Sequence, residues 1–534
     1  MRAYGRMRLA GLVRGRKPGG ETVAALALIA FGAIPFVPIL HRHGVLTGAT
    51  GIFPADQLQY LAWIRDLSHH PLAHNSFDLA PSKHVFTDPL FAVCGALVRL
   101  GLSPAAAYLL WLPVAAVALA VAYRAYVGRL LASPGERAAA LVLALFAVTP
   151  AAPILGWLAG VSSPTRNQLA LAVADSTPAL QLWGYVPIAI TLALLCGSFL
   201  ALERALDQGP ARGRGRPVYA DVAIAGGAGA VAGWLHPWQG VTVVLVAAGL
   251  AALERTRRAT LVCAAVAAVA CLPLLYYYAL PRIDHAWSVA QAQNNLMFGA
   301  WVAPAVLLPL GVPALVGLRR LGAGVQERIL VIWPLAAILE YALDPPYAVH
   351  PLESASLPLA ILAVRGLRRL GLGRAPAVTL LLLATIPGLA YAVSLLDKAI
   401  RQRPAAYALP SDDARAIELV TSSGVAGGVL APNPVAVAVP GRTGRDTWIG
   451  HPSWTPGFDL RSREASRFFD GRMRPAVARR FVRVVGARLA IVPCGSSPSL
   501  ERLLGPRTLE SSTRVGCARM LVFRGAAARG LRSP

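Results

Sequence analysis

The sequence predicts an all-α polytopic membrane protein that carries a small α/β domain at its C-terminal end. Three observations predict it. Of 534 residues, 56% are hydrophobic and only 14% charged, with a mean hydropathy of +0.54; a soluble chain carries roughly 25% charged residues. Charge-poor apolar runs of membrane length recur as far as residue 396. Beyond that point, helix-like and strand-like stretches alternate in a polar background.

Residues 1–21 form a basic leader holding Arg2, Arg6, Arg8, Arg14, Arg16 and Lys17. The run 22–40 that follows has no charge over 19 residues and no A-x-A cleavage site, so it reads as an uncleaved anchor. Further apolar runs lie at 88–101, 104–123, 138–160, 182–202, 218–235, 237–253, 259–280, 298–318, 329–343, 353–364 and 375–396. The arginine-rich loops are 124–137, 203–217, 254–258, 319–328 and 365–374. The positive-inside rule asks for all five on the cytoplasmic side. They fall there together only if 88–101, short and interrupted by Arg99, lies at the outer interface or re-enters rather than crossing. The expectation is about eleven transmembrane helices within 22–396 in a bacterial plasma membrane. The N-terminus is then cytoplasmic, and 41–103, 161–181, the His236 turn, 281–297, 344–352 and the C-terminal region lie outside.

Residues 397–525 read as the extracytoplasmic α/β domain, with helix-like 412–421, 465–469 and 475–485 and strand-like 428–431, 488–493 and 518–523. The tail 526–534 reads as disordered. From 397 to the end, 22 Lys and Arg stand against 10 Asp and Glu. This excess, and the net charge of +25 for the whole chain, suit anionic lipid headgroups rather than nucleic acid, because most of the arginines sit in short loops between spans or in this domain. Cys94, Cys196, Cys263 and Cys271 fall in apolar segments and read as small buried side chains. Cys494 and Cys517 fall in the polar region, where an extracytoplasmic location permits a disulfide.

The chemistry is expected on the outer face. A helix starting near Pro54 places Asp56, Tyr60 and Trp63 at i, i+4 and i+7 on one side. Asp56 is equally suited to start a helix and to take a proton from a hydroxyl at the membrane surface. The same loop holds His69, His70, His74, Asp78, Lys83, His84 and Asp88, without a firm metal-ligand spacing. Arg166 is a candidate phosphate donor, and His236, between Trp234 and Trp238 in a His-Pro turn, is a candidate cavity residue. Gln291, with Gln293, Asn294 and Asn295, offers neutral hydrogen bonds suited to sugar hydroxyls, and His350 with Glu353 flanks the start of the tenth span. Walker, Rossmann, Ser-His-Asp and zinc signatures are absent from the sequence.

The pattern resembles the GT-C superfamily of multi-pass glycosyltransferases. The segments that carry the resemblance are Asp56 to Arg65, Trp234-Leu235-His236-Pro237, Tyr276-Tyr277-Tyr278, Thr443 to His451, Thr455-Pro456 and Arg467-Phe468-Phe469. The resemblance implies transfer of a sugar from a polyprenyl-phosphate donor to a glycan, lipid or protein acceptor on the outer face, with Asp56 as catalytic base. Tyr60, Trp63, Arg166, His236, Gln291 and His350, read from their positions, are the substrate-binding candidates. Members with a metal in the first loop carry two adjacent or near-adjacent acids; here the next acid after Asp56 is Asp66. No metal ligand is therefore assigned, and a divalent cation stays open. The alternative reading is a non-catalytic transporter of lipid-linked glycan or a cell-envelope assembly scaffold.

Overall fold

The computed structural model describes residues 20–149, 153–155, 163–207, 217–293, 298–343, 347 and 349–524. The basic leader, most of the 203–217 loop, Asn294, Asn295 and the tail from Ala526 lie outside these residues. The Arg166 side chain does too, although its backbone belongs to the helix Ser163–Ser176.

Helices dominate the first 402 residues, and among the described residues seven are long and apolar enough to cross a membrane. They are Thr22–Leu40, Pro104–Leu130, Val186–Leu206, Val218–Leu235, Pro237–Glu254, Arg257–Ile283 and Ala375–Gln402. The other four expected spans are helical but shorter or more polar. Pro134–Phe146 covers the described start of 138–160, and Val302–Gly317 contains Pro309 and Pro313. Val325–Ala342 carries Glu327, Arg328 and Glu340. Ser356–Arg369 is buried at every position from Ser356 to Gly366, which is how Arg365 comes to hold Glu327 through both carboxylate oxygens at 2.6 and 2.7 Å.

The run at 88–101 forms the 11-residue helix Pro89–Arg99. At about 1.5 Å per residue it is too short to cross a roughly 30 Å core. Asp88 caps it by accepting from the Leu90 and Phe91 amides, and Arg99 donates back to the Ser68 and Leu67 carbonyls at the end of the helix Pro54–Leu67.

That first helix of the outer loop begins at Pro54, as the sequence predicts, and its approach is held by Gln57. The Gln57 carboxamide oxygen accepts from the Thr50 and Gly51 amides at 2.7 and 2.6 Å, and its nitrogen donates to the Thr50 hydroxyl. Gly184, at φ +113°, makes room: a Cβ there would stand 2.5 Å from the Gln57 side-chain carbon.

The C-terminal region folds as a four-stranded mixed sheet in the order β3–β4–β6–β5, where β3 is Val429–Leu430, β4 Leu489–Val492, β5 Leu509–Val515 and β6 Ala518–Phe523. β3 and β4 run parallel, while β6 pairs antiparallel with both β4 and β5. The sequence misses β5, an edge strand of mostly exposed polar residues with no apolar alternation. The structure joins Cys494 to Cys517.

The outer loop and this C-terminal region are stitched together. Strand β1, Val45–Leu46, pairs antiparallel with β2, Ala408–Leu409, just beyond the last long helix. Tyr407 donates to the Gly51 carbonyl at 2.8 Å, and the Thr447 amide donates to Ser76 O at 2.9 Å. The helix Val435–Thr443 lies against Pro54–Leu67 at Gly441, where a Cβ would come within 3.1 Å of the Leu61 Cβ. These contacts set where the C-terminal loops stand relative to Asp56.

Candidate functional site

A cavity of about 430 Å³ opens between the start of Pro54–Leu67, the turn at His236 and the loop 451–454. Asp56 lies on its wall with its side chain 34% exposed. Its Oδ2 accepts from the Tyr185 hydroxyl at 2.8 Å and its Oδ1 from His451 Nε2 at 2.7 Å. The Ser453 amide donates to His451 Nδ1 at 3.1 Å, so the ring proton sits on Nε2 and points at Asp56. Each carboxylate oxygen thus has one donor and retains a second acceptor position.

Tyr60 and Trp63 continue the wall on the same helix face, with rings 6.3 Å apart. Trp63 also meets Trp454 edge-on at 5.3 Å and Phe86 at 4.3 Å, and Trp454 meets Trp287 at 4.7 Å. Such aromatic faces stack well against the C–H faces of sugars and against apolar chain. Arg403, just past the end of the last long helix, is the only arginine or lysine on the wall among the described residues.

His236 and His350 also line the cavity. His236 is both the last cap of Val218–Leu235 and the first of Pro237–Glu254, held extended at φ −153° by the following proline. The two helices then close tightly: a Cβ on Gly240 would stand 2.8 Å from Gly233 Cα. His350 Nδ1 stands 2.8 Å from Glu353 Oε1 and 3.6 Å from Asp175 Oδ2. Asp175 also lines the cavity, and burial, together with the nearby Glu353 and Asp56, pushes its carboxyl up to about 7 against the opposing pull of His350. Burial likewise lifts Asp88, which lines the cavity as well, to about 7, although its two backbone hydrogen bonds pull the other way.

Of the residues singled out in the sequence, Asp56, Tyr60, Trp63, His236 and His350 share this cavity. Gln291 does not line it. It is exposed on the helix His285–Gln293, which is anchored through buried Ala290 and through Gln293, whose amide donates to Ser453 O and Thr455 O. The Arg166 side chain lies outside the described residues. Sequence reasoning gave no role to Tyr185, Asp175, Arg403 or His451. For His451 a signal existed, since it closes one of the segments that carry the GT-C resemblance.

The loop histidines gather elsewhere, around Asp66. His70 and His74 each donate Nδ1–H to it, at 2.8 and 2.7 Å, and His74 Nε2–H donates to Asp446 at 2.8 Å. Burial alone would lower the His74 pKa, but its two carboxylates push it up to about 10. Burial alone would raise Asp66, but the hydrogen bonds from His74 and His70 hold it at about 2. The result is a charged strut between the outer loop and the C-terminal region.

Superposition on solved structures identifies the architecture. The apo oligosaccharyltransferase of Archaeoglobus fulgidus matches with a TM-score of 0.52 at 10% identity, over 88% of this chain and 69% of that one. The same organism's AglB in complex with an inhibitory peptide and a dolichol-phosphate matches with a TM-score of 0.50 at 11% identity and the same coverage. The chain has the GT-C fold. ArnT from Cupriavidus metallidurans bound to undecaprenyl phosphate covers 94% of this chain and 98% of its own at 13% identity, with a TM-score of 0.45 that carries no weight here. No protein-family model and no curated relative matches the sequence. The cavity therefore sits, within a GT-C fold, between the loop 41–103 and the C-terminal region.

A cation beside Asp56 does not fit the residues around it. Both of its oxygens face O–H or N–H donors rather than ligands, and among the described residues Asp56 belongs to no group of three His, Cys, Asp or Glu within metal reach. Three such groups exist elsewhere. Asp412, Cys494 and Cys517 form one, closed by the disulfide; Asp66, His70 and His84 form another, in the strut; His236, His350 and Glu353 form the third.

Proposed function

We propose that the protein is a membrane glycosyltransferase that moves a sugar from a polyprenyl-phosphate donor to a hydroxyl-bearing acceptor. The observation that carries this reading is the Asp56 carboxylate, oriented by Tyr185 and His451 on the wall of an aromatic-lined cavity in a GT-C fold.

In this reading the acceptor hydroxyl gives its proton to the free acceptor position of an Asp56 oxygen as its own oxygen attacks the anomeric carbon. The new carbon–oxygen bond forms in line with the breaking one, whose electron pair leaves on the phosphate of the polyprenyl carrier. Arg403 offsets the charge that develops there. His451 does not relay the proton onward, because its Nδ1 is held by the Ser453 amide. It keeps the carboxylate aimed. Tyr60, Trp63, Trp287 and Trp454 hold the sugar and exclude water.

The chain is multi-pass, and for its orientation we adopt a cytoplasmic N-terminus, eleven spans and an extracytoplasmic domain from 397 to 525. The short basic loops support this, and so does the Cys494–Cys517 disulfide, a bond that persists in oxidising compartments.

The test is to incubate purified protein with polyprenyl-phosphate sugars and candidate acceptors and to follow the lipid by mass spectrometry. Release of free polyprenyl phosphate supports the transferase. Stable binding of an intact donor with every acceptor supports a carrier or scaffold.

A further inference from the structure

Beside His236 and His350 lies a concentration of buried charge that the proposed mechanism leaves idle. Glu353 is fully buried, Glu340 is 4% exposed and Asp175 5%. Among the described residues, no lysine or arginine pairs with any of the three. Buried carboxylates without a fixed cation are costly unless something neutralises them. Among the described residues, the basic groups paired with them are two imidazoles.

Both imidazoles converge on the one Glu353 carboxylate. His350 Nδ1 is 2.8 Å from one Glu353 oxygen, and His236 Nδ1 is 3.4 Å from the other, with the two rings 5.0 Å apart and perpendicular. His236 is 7% exposed, yet its Nδ1 has no hydrogen-bond partner. A buried ring nitrogen without a hydrogen bond and beside a carboxylate needs a partner, and a cation shared with that carboxylate supplies one. The donor atoms of His236, His350 and Glu353 all lie within 4.8 Å of one another. A tetrahedral ion with bonds of about 2.0–2.1 Å sets its ligand atoms about 3.3–3.4 Å apart, so the 3.4 Å His236–Glu353 spacing already suits it and the 2.8 Å His350–Glu353 contact opens slightly on binding. Gln239 supports the group from behind, donating to His350 O at 2.9 Å and approaching Glu353 Oε2 at 3.5 Å.

We propose that His236, His350 and Glu353 bind a divalent cation of the zinc class, with Asp175 at its edge and the open coordination position facing the cavity. Two imidazoles and one carboxylate favour zinc, cobalt or nickel over magnesium or calcium. His236, His350 and Asp175 line the cavity itself, so a phosphate oxygen can complete the coordination. The role on phosphate rests on the transferase reading above; the binding rests on the geometry alone. The site shares no ligand with Asp56.

The experiment takes full-length protein in detergent, exposes it to zinc, removes loose metal by gel filtration and measures bound metal by elemental mass spectrometry. The wild type is expected to retain about one zinc per chain. His236→Ala and His350→Ala are expected to weaken retention at least about tenfold, while His70→Ala/His84→Ala, in the Asp66 cluster, retains it. Cobalt loading of the wild type reads the same site through its visible absorption and depends on no variant's folding. A wild type that keeps no zinc and shows no cobalt bands overturns the proposal. So does zinc lost only in the His70→Ala/His84→Ala variant. Donor cleavage assayed on the same samples separates the two readings. Stoichiometric zinc without cleavage of any donor contradicts the transferase and upholds the metal site, whereas cleavage by metal-free wild type does the reverse.

Discussion

Asp56 and His451 stand 395 positions apart in the chain and are joined by a 2.7 Å hydrogen bond on the cavity wall. One comes from the first outer loop and the other from the C-terminal domain, so the site exists only when the two are docked. His451→Ala should leave the protein folded and lower kcat between about 10- and 100-fold, the scale of a misaligned reacting group. His451→Gln, which keeps a donor, should recover part of the loss. Steady-state kinetics of both variants check this, with KM for the donor nearly unchanged.

Gln57 lies next to Asp56, and its carboxamide oxygen accepts from both the Thr50 and the Gly51 amides. Gln57→Leu buries both amides unpaired, at about 1–3 kcal/mol each. The expected outcome is a clearly lower thermal midpoint in detergent, measured by intrinsic fluorescence, together with reduced transfer.

The His74 strut makes docking pH-dependent. The folded pKa of His74 is raised from 6.5 to about 10, so its stabilisation is complete below about 6.5 and disappears as pH rises towards about 10. For Asp66, lowered from 3.8 to about 2, stabilisation is complete above about 3.8 and is lost as pH falls towards about 2. Between about pH 4 and 6.5 both contributions are present. The difference in thermal midpoint between wild type and His74→Asn should therefore be largest there and shrink towards pH 10.

Orientation can be read with single cysteines. Leu100 is 79% exposed at the end of the helix Pro89–Arg99, and Leu130 ends the span Pro104–Leu130. Leu100→Cys should react with an impermeant maleimide in intact cells, and Leu130→Cys only after permeabilisation. The reverse pattern would invert the topology.

The near half of the site was legible in the sequence because it is local. Pro54 starts a helix, and i, i+4, i+7 spacing places Asp56, Tyr60 and Trp63 together without any tertiary knowledge. His236 was legible because a His-Pro step in apolar sequence stands out. The far half was not. Tyr185 reads as one more aromatic within the run 182–202, Arg403 as a domain boundary, and Asp175 as a loop acid; only chain packing brings them to the cavity. Gln291 shows the converse, since a polar cluster in an outer loop says nothing about which member faces inward. In the fold, buried helices such as Ser356–Arg369 blur span counting because they need no lipid-length apolar face, and β5 hides because its exposed residues carry no alternation.

The central claim is that Asp56 is the base that activates the acceptor. Donor consumption and polyprenyl phosphate release are measured by mass spectrometry for wild type and Asp56→Asn, with equal folded protein confirmed by size exclusion. The account predicts donor binding in both and a loss of transfer of at least about 10²-fold in Asp56→Asn. Transfer at the wild-type rate by Asp56→Asn would contradict it.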